Sequence, residues 1–203
     1  LFETYAVTIV ATMALGMILF TGIDQQKLMM LPLLISGVCI VSSVIGTFYV
    51  KLGESENIMG ALYKGLMVTG IVSVALIFAV IYKYIGLDYV MSDNTVLFKS
   101  FTGFDLFLCS IIGLLVTGLL VWITEYYTST EFFPVKSVAK ASESGHATNI
   151  IQGLAISMQS TAIPTLIIVL GIVFSYNVGG LYGISIAATT MLALAGMIVA
   201  LDA

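Results

Sequence analysis

The stretch LPLLISGVCIVSSVIGTFYV, residues 31–50, carries no charged side chain from end to end. A helix rises about 1.5 Å per residue, so about twenty such residues reach across a hydrocarbon layer of about 30 Å. Five other runs read the same way: 1–20, 66–82, 104–123, 150–174 and 181–201. The first is broken only by Glu3. The third is the shortest, and Tyr63 and Ile85 extend it toward the two interfaces. Strands of a membrane barrel would be shorter and would alternate in polarity. The expected fold class is therefore an all-α polytopic membrane protein with six transmembrane helices.

The composition agrees. Of 203 residues, 60% are hydrophobic and 9% charged, and the mean hydropathy is +1.12. An ordinary globular domain carries about 25% charge, and these residues cannot furnish the polar surface that a water-soluble core of this size needs. Arginine is absent, the net charge is −4, and no basic cluster exists to neutralise a nucleic-acid backbone. The expected surroundings are the lipid bilayer, with no nucleic-acid partner. Cys39 and Cys109 both lie inside apolar runs and read as small packing residues, not as a disulfide framework or metal ligands.

The connections (21–30, 51–64, 83–103, 124–149 and 175–180) are polar. An even number of spans puts both chain ends on one side, with Lys51, Lys64, Lys136 and Lys140, while Lys27, Lys83 and Lys99 lie on the other. That bias places the ends in the cytoplasm. Leu1 opens directly into an apolar run and Ala203 closes just after another, so both ends read as cuts through a longer chain. Gly113, Gly118, Gly153 and Gly196 recur within the spans and permit close helix approach in lipid, favouring a compact bundle. Pro164 is expected to kink the fifth span.

Few residues offer chemistry. Glu3 within the membrane would need a proton, a cation or a lysine, which suggests H⁺ or Na⁺ transfer. At the surface it would be a carboxylate stabilised by a helix N-terminus. Thr4 and Thr8 add oxygens one turn apart. Trp122, Tyr126 and Tyr127 form an interfacial aromatic cluster beside Glu125. In the fifth span, Asn149, Gln152 and Ser160 share a face by helical spacing, and Ser157 and Gln159 lie nearby. So polar a first half suits a helix lying against protein or a polar path. Asp202 ends the last run, either as a surface residue or as the edge of an acidic site. His146, the one histidine, reads as a loop residue. No phosphate loop, zinc motif or nucleophile triad is present.

Several segments together carry a resemblance: LFETY at residues 1–5, TEYYTS at 124–129, GHATNIIQGLA at 145–155, LYGISIAA at 181–188 and ALDA at 200–203. In this order and spacing the chain resembles the membrane-bound, ion-translocating inorganic pyrophosphatases, also called vacuolar-type proton-pumping pyrophosphatases. The resemblance implies a homodimer whose subunits each have a membrane bundle of about sixteen helices, six of which this chain would supply as an internal segment. It also implies Mg²⁺-dependent hydrolysis of inorganic pyrophosphate at the cytoplasmic face, coupled to outward movement of H⁺ or Na⁺. K⁺ or Na⁺ would be further cofactors, and the cell inner membrane the location.

By the same resemblance Glu3 is the ion-gate carboxylate, and Thr4, Thr8, Asn149, Gln152, Ser157, Gln159 and Ser160 are ion-path or structural polar groups. The arrangement of Glu125 with Tyr126, Tyr127 and flanking hydroxyls suits a substrate-side loop or a pairing with a residue on a helix beyond this stretch. The principal acidic motifs would lie beyond this stretch, leaving no catalytic residue within it and its metal ligands unknown. Two departures bear on ion specificity. Plant-type members place the gate glutamate one turn later, where this chain has Val7, and carry Tyr-Lys where it has Met158-Gln159. A secondary ion transporter module without hydrolase activity is the alternative reading.

Overall fold

The computed structural model describes residues 2–51, 58–91 and 100–202. Lys99 and the loop acids Glu54, Glu56 and Asp93 lie outside them. The elements in chain order are α1 (Phe2–Leu19), α2 (Gly22–Thr47), α3 (Ile58–Tyr84), β1 (Val90–Met91), β2 (Phe101–Thr102), α4 (Gly103–Thr128), α5 (Phe133–Ser142), α6 (His146–Ser160), α7 (Ala162–Leu192) and α8 (Ala195–Asp202). Helix is the expected outcome for such apolar segments, because it satisfies every interior backbone donor and acceptor within the segment itself. The only strand pairing among the described residues is a short antiparallel ladder, Val90 opposite Thr102 and Met91 opposite Phe101.

Among the described residues, five segments are long and apolar enough to cross a membrane: Phe2–Leu19, Gly22–Thr47, Gly60–Tyr84, Gly103–Ser142 and His146–Val199. The polytopic all-α class stands, with five segments in place of six. The difference arises at residues 175–180, expected as a connection. They are helical, and Ser175 and Gly179 are buried. Only Gly180 leaves helical geometry, at φ 62° and ψ −153°, a setting that its missing Cβ permits. It divides α7 into two helical halves with no intervening loop. Pro164 falls in the first turn of α7, where its absent N–H is tolerated, and the break with α6 lies just before it.

The chain forms two compact units, residues 1–115 with 172–203, and residues 116–171. In the first, α2 packs against α1 and α3. Leu28, Leu31, Ile35, Ile77, Ile81, Leu106 and Ile186 are fully buried. Met91 and Phe101 bring the short ladder into this core, where Phe101 and Tyr182 flank Phe20, the latter edge-on to both at 5.8 and 5.4 Å. Thr102 and Asp105 start α4 with a reciprocal cap. Thr102 N–H donates to the Asp105 carboxylate at 2.7 Å and Asp105 N–H to Thr102 Oγ1 at 3.3 Å, satisfying two backbone donors at a helix end. In the second unit the short amphipathic α5 packs on α6.

One buried hydrogen bond ties distant segments together. Pro32 lies inside α2 and has no N–H, so the Leu28 carbonyl loses its helical donor. The Tyr182 hydroxyl from α7 supplies the replacement, donating to Leu28 O at 2.6 Å. Tyr182→Phe should therefore lower unfolding stability by about 1–2 kcal/mol, the range for stranding a buried acceptor. In a Pro32→Ala background, where the helix again provides an N–H, the same change should cost measurably less. Denaturation of the four variants in detergent reads the difference, and equal losses in both backgrounds would contradict this account.

Candidate ion-path face and its hydroxyl seams

Helix α1 has two unlike sides. Tyr5, Thr12, Gly16 and Leu19 are its buried residues. Gly16 lies where an added Cβ would come within 3.3 Å of the Leu28 backbone. Thr12, 1% exposed, is held three ways. Its hydroxyl lies 3.0 Å from that of Thr189, 2.9 Å from Thr8 O and 3.2 Å from Ser185 O. Because successive residues turn by about 100°, Glu3 stands on nearly the opposite side of the helix from Tyr5. It is exposed, with Phe2, Thr4, Ala6 and Val7. The packed side of α1 thus aims its carboxylate away from the unit's own core.

Thr8 donates to Thr4 O at 2.8 Å, so both threonines are tied into the helix backbone, Thr8 as donor and Thr4 through its carbonyl. In the second unit Asn149 and Gln152 are half-buried, and Gln152 Nε2 donates to Ser137 Oγ on α5 at 3.2 Å. Ser157 and Gln159 are exposed, and Ser160 Oγ donates to Ser157 O at 2.8 Å. The helix begins at His146 after Gly145, whose φ is 130°. Thr148 reaches back to Gly145 O and Ala141 O at 2.8 and 2.9 Å.

Glu125 is half-buried near the end of α4. There Tyr126 meets Tyr127 edge-on at 5.1 Å and Phe132 at 5.4 Å. Glu3, Thr4 and Thr8 belong to the first unit, and Glu125 through Ser160 to the second. Asp202 closes α8, with its side chain outside what the structure describes.

Sequence patterning missed three features. The Thr12–Thr189 pair and the Tyr182–Leu28 bond join residues far apart in the chain, and nothing in either residue's own neighbourhood names its partner. Pro32 was the available signal for the second, because it leaves a carbonyl in need of a donor. The third joins the first turns of α2 to the connection after α3. Tyr89 donates to the Asp24 carboxylate at 2.7 Å, and Lys27 Nζ sits 4.7 Å from its ring centroid. The hydrogen bond to Asp24 and then its negative charge, with a small contribution from burial, raise the phenol above its ordinary value of 10.0. Among the described residues no three His, Cys, Asp or Glu side chains come together to hold a metal ion.

These features define a multi-pass α-helical membrane protein with buried hydroxyl seams between spans and a carboxylate on an unpacked helix face. The family model described as inorganic H⁺ pyrophosphatase matches residues 1–203, and the chain belongs to that family. It is 53% identical over 178 residues to pyrophosphate-energized proton pump 2 of Rhizobium leguminosarum bv. trifolii, covering 88% of this chain and 81% of that protein. It is 52% identical over 192 residues to pyrophosphate-energized proton pump 2 of Mycoplana dimorpha, covering 94% and 91%. A K⁺-insensitive pyrophosphate-energized proton pump of Methanosarcina mazei is 38% identical over 210 residues, covering all of this chain and 29% of that protein.

Proposed function

We infer that this chain serves a pyrophosphate-energised ion pump, an enzyme that hydrolyses inorganic pyrophosphate and uses the released free energy to move protons across a membrane. The observation that carries the reading is family membership across the whole chain, with relatives above 50% identity that are named for this activity. The chain's own contribution is to transport. A carboxylate on a membrane span is stable there only with a proton, a cation or a partner charge. Glu3, held outward by the packing of Tyr5, Thr12 and Gly16, is assigned as the group that accepts and releases the ion. Asn149, Gln152, Ser157, Gln159 and Ser160 are assigned to a polar wall, and Thr4 and Thr8 to the neighbourhood of Glu3. Glu125, Tyr126 and Tyr127 are assigned to a substrate-side loop, and Asp202 to the edge of an acidic site.

Magnesium dependence, a response to K⁺ or Na⁺, a homodimer and an inner-membrane location belong to this reading as proposals about the working protein. The test is reconstitution of the protein carrying this chain into sealed liposomes, with Mg²⁺ and pyrophosphate added outside. Phosphate release should be accompanied by acidification of the lumen. Uptake of ²²Na⁺ in place of acidification would assign Na⁺ as the transported ion. Gradient-driven ion exchange without phosphate release would replace the pump with a secondary transporter.

A further inference from the structure

We propose that Thr12 on α1 and Thr189 on α7 are positioning residues for ion transfer, their hydroxyl pair fixing the roll of α1 and thereby the heading of the Glu3 carboxylate. This role rests on the assignment of Glu3 as the group that accepts and releases the ion. Thr12 is 1% exposed and Thr189 0%, and their hydroxyls lie 3.0 Å apart. Thr12 also reaches Ser185 O at 3.2 Å, so two points of α7 hold one side chain of α1. Glu3 stands about two and a half turns earlier, on the far side of the helix. A roll of α1 at Thr12 therefore swings the carboxylate the opposite way. At Gly16 an added Cβ would lie 3.3 Å from the Leu28 backbone, a close contact that resists separation but has no preferred direction. The hydrogen bond between the threonines has one.

Orientation is what this pair contributes, because neither hydroxyl needs the other to be satisfied. Thr12 has an acceptor on its own helix in Thr8 O at 2.9 Å, and Thr189 has one in Ser185 O at 2.9 Å. Parting the two threonines leaves each proton with a carbonyl four residues back and strands no buried donor. The bond between Tyr182 and Leu28 is the contrasting case, since its loss leaves a carbonyl without a donor beside Pro32. Removing the Thr189 hydroxyl should thus disturb where α1 points without unfolding the protein. Thr12 faces away from Glu3, so the pair acts on the carboxylate through the helix.

The test compares variants of the full protein in sealed liposomes, with ions taken up per phosphate released as the readout. Thr189→Val keeps the side-chain shape and should lower that ratio several-fold, while its unfolding midpoint in detergent does not fall. Thr189→Ser, which restores the hydroxyl, should recover most of the ratio. Thr12→Val should match Thr189→Val, and the double variant should be no worse than either. Ser73→Ala breaks a buried hydroxyl pair between α2 and α3 and should leave the ratio unchanged. An unchanged ratio in Thr189→Val beside a defective Glu3→Gln would overturn the positioning role and leave Glu3 in place. Undiminished pumping by Glu3→Gln would overturn both. Equal losses in Thr189→Val and Ser73→Ala, or a lowered midpoint without rescue by serine, would mark a merely structural role and overturn the proposal as well. Ion exchange without phosphate release by the unmodified protein would remove the pump reading alone, and the same variants are then compared by exchange rate.

Discussion

Gly113→Ala is expected to be among the most damaging single-methyl changes in this chain. A Cβ at residue 113 would stand 2.2 Å from Ala187 O and 2.2 Å from Thr190 Oγ1, far inside van der Waals contact. Ala187 O belongs to the backbone of α7 and cannot rotate away, so α4 and α7 would have to separate along the seam. Overpacking of this kind costs about 1–3 kcal/mol, and a backbone obstacle puts this case at the upper end. Gly118 lies farther along the same helix, and an added Cβ there meets nothing within 4 Å. Gly118→Ala should be neutral or gain up to about 1 kcal/mol from helix propensity. Unfolding midpoints of the two variants in one detergent should move in different directions or by clearly unequal amounts. Equal losses would remove the distinction.

Glu3→Gln is expected to act on function and leave the fold intact. The side chain is exposed, on the side of α1 that makes no core contacts, so the unfolding midpoint should not change. Glutamine preserves shape and hydrogen bonding but can neither bind and release a proton nor neutralise a cation. In sealed liposomes pumping should fall by roughly an order of magnitude or more, and Glu3→Asp should retain part of it. Thr8→Val should do less, since the Thr8 hydroxyl already spends its proton on Thr4 O. Undiminished acidification by Glu3→Gln would remove Glu3 from the ion path.

Much of the fold is legible in the sequence because lipid imposes one rule, that an apolar run of sufficient length becomes a helix. Helix limits are less so. Helix α2 begins at Gly22, well before the uncharged run opens at Leu31, because Asp24, Gln25, Gln26 and Lys27 are compatible with an interfacial first turn. Polarity also misleads at Ser175 and Gly179. They resemble loop residues, but Gly179 is a small residue in close contact, with the Cys109 sulfur 3.0 Å from where its Cβ would lie. Gly113 and Gly118 are indistinguishable as letters, and only the approach of α7 separates a contact glycine from a free one. For the ion path, sequence names Glu3 as a carboxylate in an apolar setting. Its direction depends on which residues of α1 are covered, and that is set by α2 and α7.

The bond between Tyr182 and Leu28 has a consequence for biogenesis. Its partners are 154 residues apart, and at a synthesis rate of about 5–20 residues per second that separation is roughly eight to thirty seconds of translation. Throughout that interval the Leu28 carbonyl beside Pro32 lacks its donor, because the residue that supplies it has not yet left the ribosome. Synthesis of α2 and the closing of this hydrogen bond are thus separate events. Conditions or chaperoning factors that hold nascent helices near the translocon should matter more for this protein than for one whose helices each complete their own hydrogen bonding.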